Sequence, residues 1–200
     1  MRTAQQSSPT KDRLLDAAQA LMLTKGFAAT TVDEICAAAK LTKGSFFHYF
    51  DSKDQLGKKL LERFCATMRQ LHAACGDTES DPLKRVYAYL DNVMAMAQDP
   101  ANSQGCLLGL FSQELCETNP KIQEACEQGF CEWSKALAHE LAKAKARYAP
   151  KASIHPNELA EYIIAVVEGS MILSKAQKDR SVIQQNLRHV KSYLKHLFGR

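Results

Sequence analysis

The sequence predicts an all-α protein: a three-helix N-terminal domain built on a helix-turn-helix, followed by a larger helical domain, about nine helices in all. Three observations carry that expectation. The prolines, at positions 9, 82, 100, 120, 150 and 156, stand at the edges of apolar segments. Between those marks apolar residues recur three and four apart, the spacing of a helix face and not of a strand. Several segments also open on a capping residue or a first-turn proline, as helices do.

The first helix is expected from residue 10 to 25, with Leu14, Ala17, Ala18, Leu21 and Met22 on one face and Gly26 as its stop. The second opens with Thr31-Val32-Asp33-Glu34, a capping box in which Thr31 and Glu34 satisfy each other's amides, and ends near Ala39. Lys40-Leu41-Thr42 leads into a third helix, residues 43–49, and a fourth starts at Asp51-Ser52-Lys53 and continues to about Cys75. After a polar linker at 76–81, longer helices are expected over 82–98, 103–117, 120–147, 156–178 and 181–197. The domain division falls after residue 56: residues 1–56 form the first domain, ordered from residue 10, and 57–200 the second.

Composition limits the function classes. With 200 residues, 46% apolar and 24% charged, the chain is long enough for a sizeable core and is neither disordered nor collagen-like. The net charge of +4 permits an anionic partner without demanding one. It is concentrated at the short helices: up to Arg63 there are ten basic and seven acidic residues, +3, against sixteen and fifteen, +1, beyond it. The polar N-terminus lacks a signal-peptide core and no apolar run approaches the ~18 residues of a membrane span, so a cytoplasmic protein with no membrane partner is expected. Seven cysteines are an odd number, and the pair Cys126 and Cys131 lacks zinc-ligand spacing. Most are expected as buried thiols, with no metal and no cofactor.

Two short helices joined by three residues and buttressed by a longer one have the layout of a DNA-binding motif whose second helix enters the major groove. Thr42 is placed as N-cap, next to amides that suit a phosphate. Gly44 costs helix propensity of up to about 1 kcal/mol, a loss that close backbone approach to DNA explains. Lys43 adds charge and Ser45 a short donor and acceptor; Phe46 and Phe50 share a core face, with Phe47 and His48 turned the other way. Lys53 is within reach of a flanking phosphate. The bland alternative is three helices that merely pack, with the lysines as a solvated rim.

The stretch from Arg13 to Leu60 resembles the DNA-binding domain of TetR/AcrR-family transcriptional repressors. The resemblance is carried by Ala17-Ala18, Lys25-Gly26-Phe27, Thr30-Thr31-Val32, Thr42-Lys43-Gly44-Ser45, His48-Tyr49-Phe50 and Ser52-Lys53. It implies that Thr31, Thr42, His48, Tyr49 and Lys53 hold phosphates of a palindromic operator, while Lys43, Ser45 and Phe47 face base edges. Two residues depart from the family pattern: Lys40, where the family commonly has Gly, and Phe47, where it commonly has Tyr.

Such a motif reads two half-sites as a dimer, so a second surface must hold two copies together. The last two helices are the expected homodimer interface. Leu159, Ile163, Val166, Val167, Met171 and Leu173 spread over too wide an arc for one buried face, with Gly169-Ser170 allowing close approach. An intramolecular core is the alternative. Phe130 and Trp133, on a stripe with Ile122, Cys126, Leu137 and Leu141, are candidates for an aromatic effector pocket or for plain core.

If Ser103 caps the sixth helix, Cys106 lies in its first turn, where the dipole favours thiolate, and Gly105 and Gly109 leave the sulfur uncovered. Lys175, interrupting an apolar segment, is a companion cation. The segments around Gly105-Cys106-Leu107, Glu114, Ser174-Lys175 and His189-Val190-Lys191 are similar to the NemR-like branch of the family, which implies sensing of oxidants or electrophiles by Cys106. The function expected is therefore a non-enzymatic repressor, released from DNA when a small reactive inducer meets Cys106. Alternatives are a repressor with a non-covalent aromatic or cationic inducer, and an all-helical enzyme with Cys106 as nucleophile. No motif places a histidine as base for the latter.

Overall fold

The computed structural model describes residues 8–99 and 105–199, and side chains at those positions other than 71–78. Nine helices are present among the described residues: α1 (Pro9–Lys25), α2 (Val32–Ala39), α3 (Lys43–Tyr49), α4 (Lys53–Thr78), α5 (Pro82–Gln98), α6 (Leu107–Leu115), α7 (Pro120–Tyr148), α8 (Pro156–Gln177) and α9 (Ser181–Phe198). The all-α expectation holds, and most boundaries lie within a residue or two of their sequence signals. None of these helices is long and apolar enough to cross a membrane. The chain forms two compact units, residues 1–64 with 107–126, and residues 65–106 with 127–200.

In the first unit α1, α2 and α3 enclose a core of Leu14, Met22, Ile35, Phe46 and Phe50, to which the start of α4 adds Leu56, Leu60 and Leu61. Pro9 opens α1, and Gly26, at φ +93°, closes it with its amide on the Met22 carbonyl at 2.8 Å. The turn after α2 is a Schellman turn with lysine in glycine's place: the Leu41 amide reaches Cys36 O at 2.9 Å, the Lys40 amide reaches Ala37 O at 3.0 Å, and Lys40 takes φ +52°. Arg13 of α1 offsets that strain by donating to the Ala39 carbonyl, and to Lys40 O at 3.4 Å. The helix α6 joins this unit through Phe111, whose ring meets Phe27 edge to face at 5.3 Å. Asn119 caps α7 by accepting from the Ile122 amide (3.2 Å) and donates to Asp54 of α4 (2.8 Å).

The second unit is built on α5, α7, α8 and α9, with Leu90, Leu141, Ile163, Leu187 and Leu194 at its centre. Asp81 caps α5 by accepting from the amides of Leu83 (2.9 Å) and Lys84 (3.1 Å), and the Tyr148 hydroxyl at the end of α7 donates to the same carboxylate. Along α8 the buried stripe is Leu159, Ala160, Ile163, Ile164, Val167, Ser170 and Ser174. Its polar member Ser170 is satisfied, accepting from Asn186 of α9 at 3.0 Å and donating to Val166 O.

One expectation needs correction. The sixth helix begins at Leu107, because Gly105 takes φ +120°, a conformation that breaks a helix, so Cys106 precedes the first turn and does not lie within it. Ser103, expected as its cap, lies outside the described residues.

Candidate nucleic-acid interface

Thr31 and Thr42 start the two helices of the motif in the same way. Thr31 Oγ1 accepts from the Glu34 amide at 3.2 Å while the Glu34 carboxylate accepts from the Thr31 amide at 2.9 Å, closing the expected capping box. The Lys25 ammonium, donating at 2.5 Å, and then the Thr31 amide and hydroxyl hold the Glu34 carboxyl down at about 2. Thr42 Oγ1 accepts from the Ser45 amide at 3.1 Å.

After the second cap, the helix α3 sorts its side chains by face. Phe46 and Phe50 are buried and anchor it; Thr42, Lys43, Gly44, Phe47 and His48 are exposed, and Ser45 and Tyr49 are half-buried. The Lys43 ammonium is paired with Asp33 at 2.8 Å, a contact that raises its pKa, yet both side chains are well exposed. Such a surface pair is worth little, so the ammonium can be redirected cheaply to a phosphate or a base. The Tyr49 hydroxyl lies 2.9 Å from that of Ser8, which ties the approach to α1 against α3.

Lys53 faces inward. Its ammonium donates to the carbonyls of Thr30 (2.8 Å), Phe27 (2.9 Å) and Ala28 (3.4 Å), and sits 4.4 Å from the centre of the Phe27 ring. In this structure it braces the loop that leads into α2. The same loop is gripped from α6, where the Glu114 carboxylate accepts from the Ala28 amide at 3.0 Å. A side chain at Gly26 would place Cβ 2.5 Å from Glu114 Oε1 and so displace that carboxylate, while the positive φ by itself favours glycine there. Sequence reasoning gave Glu114 no role at this loop, because 86 residues separate the partners and no periodicity marks the contact.

In the second unit the thiol of Cys106, 8% exposed, donates a hydrogen bond to the Glu168 carboxyl. Burial raises the pKa of Glu168 more than that hydrogen bond lowers it, and Oε1 is buried without a hydrogen-bond partner among the described residues. Lys175 is exposed, seven residues and so about 10 Å of helix rise beyond Glu168 on α8. A carboxyl therefore stands at Cys106. The only sequence signal for it was that Glu168 is an isolated charge in an apolar stretch.

Phe130 and Trp133 stack at 6.0 Å and lie half-buried against the core of this unit, with Trp133 Nε1 donating to the Tyr89 hydroxyl at 2.8 Å. An open groove of about 650 Å³ runs between α5 and α9, lined by Asp91, Met94, Arg188, Lys191 and Lys195; neither Phe130 nor Trp133 lines it. A different face of α8 and α9 is apolar and uncovered: Tyr162, Ile172 and Leu173 of α8 and Tyr193 of α9 are all exposed, with the two tyrosine rings 5.9 Å apart. Gly169 lies between them in sequence, and a Cβ there would meet nothing within 4 Å.

Known proteins share this arrangement. Residues 14–60 match the model for bacterial regulatory proteins of the tetR family, and residues 82–189 that for the C-terminal domain of LmrA/YxaF-like transcriptional regulators. The HTH-type transcriptional repressor DhaR of Mycobacterium sp. (strain GP1) is 26% identical over 90% of this chain and 89% of its own. The HTH-type transcriptional repressor NemR of Escherichia coli K12 is 26% identical over 92% of this chain and 94% of its own. The crystal structure of the reduced form of E. coli NemR superposes with a TM-score of 0.78 at 25% identity, covering 92% of this chain and 97% of that one. The regulatory protein TetR from Rhodobacter sphaeroides gives 0.85 at 25% identity, covering 92% and 98%.

Proposed function

The chain belongs to the TetR family of bacterial transcriptional regulators, and from that premise we propose that it represses transcription by binding a palindromic operator as a homodimer. The observation that carries this reading is the outward face of α3: Thr42, Lys43, Gly44, Phe47 and His48 stand exposed on a helix whose other side is locked into the core by Phe46 and Phe50. Thr31, Tyr49 and Ser45 flank that face, where they meet phosphates and base edges, and Lys53 contributes by holding the loop before α2. The uncovered apolar residues Tyr162, Ile172, Leu173 and Tyr193 supply the contact between two copies.

Release follows from modification of Cys106 by an oxidant or an electrophile. With an α,β-unsaturated carbonyl compound the sulfur bonds to the β carbon, the thiol proton passes to the Glu168 carboxylate, and a proton returns to the α carbon, so that S–H adds across C=C. Lys175 is a cation farther along the same helix. NemR, whose solved form is described as reduced, lends support to a thiol-based reading. Oε1 of Glu168, buried without a hydrogen-bond partner among the described residues, favours a second reading, in which a non-covalent inducer brings a positive charge or a hydrogen-bond donor to that oxygen.

The test is fluorescence anisotropy of the reduced protein on the DNA immediately upstream of its own gene, before and after a mild thiol oxidant or an electrophile. Selective binding that the reagent abolishes in the native protein and spares in Cys106→Ser supports the thiol switch. Selective binding that the reagent never affects leaves the repressor and removes the switch.

A further inference from the structure

Resting on the reading of α3 as the helix that enters the major groove, we infer that Phe47 reads the C5-methyl group of a thymine in each operator half-site. Phe47 is 55% exposed, the highest value among the exposed large apolar side chains of the described residues, and the other four of these lie on α8 and α9. The ring is held in place edge-on against the buried Phe46, with ring centres 5.2 Å apart. A phenyl ring has neither donor nor acceptor, so it cannot hold a phosphate or read a polar base edge. The one apolar group that base pairs present in the major groove is the thymine methyl.

The neighbours of Phe47 shape a place for such a group. A helical side chain leans over the turn that precedes it, so the Phe47 ring covers the turn containing Lys43 and Gly44. Gly44 has no side chain there, and a Cβ added to it would meet only Thr42 Oγ1, at 3.6 Å. The Lys43 ammonium lies toward Asp33, 2.8 Å away, and not over Gly44. What remains beside the aromatic ring is backbone without a side chain, against which a methyl group can pack on the phenyl face.

The experiment begins with selection of a consensus operator from random DNA, followed by replacement of each thymine in turn by deoxyuridine, which deletes the methyl and nothing else. Binding is measured for the native protein, Phe47→Ala and Phe47→Tyr. Burying one methyl is worth about 0.8 kcal/mol, roughly four-fold, so removing it from both half-sites should weaken native binding on the order of ten-fold at one symmetric position. Phe47→Ala should bind the thymine operator as weakly as the native protein binds the deoxyuridine one and be insensitive to the exchange; Phe47→Tyr, which keeps the ring, should remain sensitive. Because Phe47 is exposed, circular dichroism of Phe47→Ala should match the native spectrum. A native protein insensitive to deoxyuridine at every thymine, or a Phe47→Ala protein that keeps the full penalty, overturns the inference while leaving a repressor that selects an operator. Failure to select any sequence removes the repressor reading and this inference together.

Discussion

Glu168 carries an ionisable group into an apolar helix face, where burial raises its pKa. A carboxyl whose folded-state pKa is raised favours folding at low pH and loses that contribution as pH rises through the folded value. Glu168→Gln, which removes the charge and keeps the shape, should therefore raise the melting temperature at pH 8 by about 2–4 °C, the equivalent of about 1 kcal/mol at this chain length. The gain should shrink toward pH 5. Thermal melts across that range decide it, and a gain independent of pH would mean that Glu168 is not the titrating group. Thr42 is a residue-scale device of another kind. Thr42→Ala removes the acceptor for the Ser45 amide and should cost about 1 kcal/mol in chemical denaturation, whereas Thr42→Ser should be near neutral. Both threonine caps were legible in the sequence because a cap is a local pattern. The pairing of Cys106 with Glu168 was not, since hydrogen bonds between distant residues leave no periodic trace.

At the scale of elements, α6 deserves its place in the first unit through three contacts: Phe111 on Phe27, Glu114 on the Ala28 amide, and the space left by Gly57. A Cβ at Gly57 would lie 2.9 Å from Phe27 Cε2 and 3.3 Å from Phe111 Cε2, both in buried rings. Gly57→Ala gains up to about 1 kcal/mol of helix propensity but overpacks that site by about 1–3 kcal/mol, so a net loss of stability is expected in urea melts. Glu114→Ala should speed hydrogen exchange at the Ala28 amide and lower operator affinity, while Glu114→Gln, which keeps an oxygen acceptor, should restore both. Exchange rates unchanged in Glu114→Ala would show that the loop is held without it. Helix ends were readable wherever a proline, glycine or capping residue stood, as at α3 and α5. The start of α6 was not, because a glycine at positive φ is indistinguishable in sequence from one in a helical turn.

For the whole molecule the proposed repressor depends on pairing, since a single recognition helix reads only one half-site. Leu173→Glu places a charge on the uncovered face of α8, where Leu173 is exposed in the single chain, so the fold should survive. Light scattering after size exclusion should then find a monomer, and operator affinity should drop by at least about ten-fold as the two half-sites cease to be bound together. A dimer of unchanged stability would move the interface elsewhere.

Residue by residue, the chain alone determined the all-α class, the capping box at Thr31, the outward and inward faces of α3 and the apolar excess of α8. Each of these is written in local order: three or four residues of spacing, one cap, one breaker. Tertiary structure alone decided that Lys53 and Glu114 grip one loop from two helices, that Cys106 meets Glu168, and that Trp133 spends its N–H on Tyr89. Those contacts join residues far apart along the chain, and only packing, which fixes how helices are oriented around a shared core, brings such side chains within hydrogen-bonding distance.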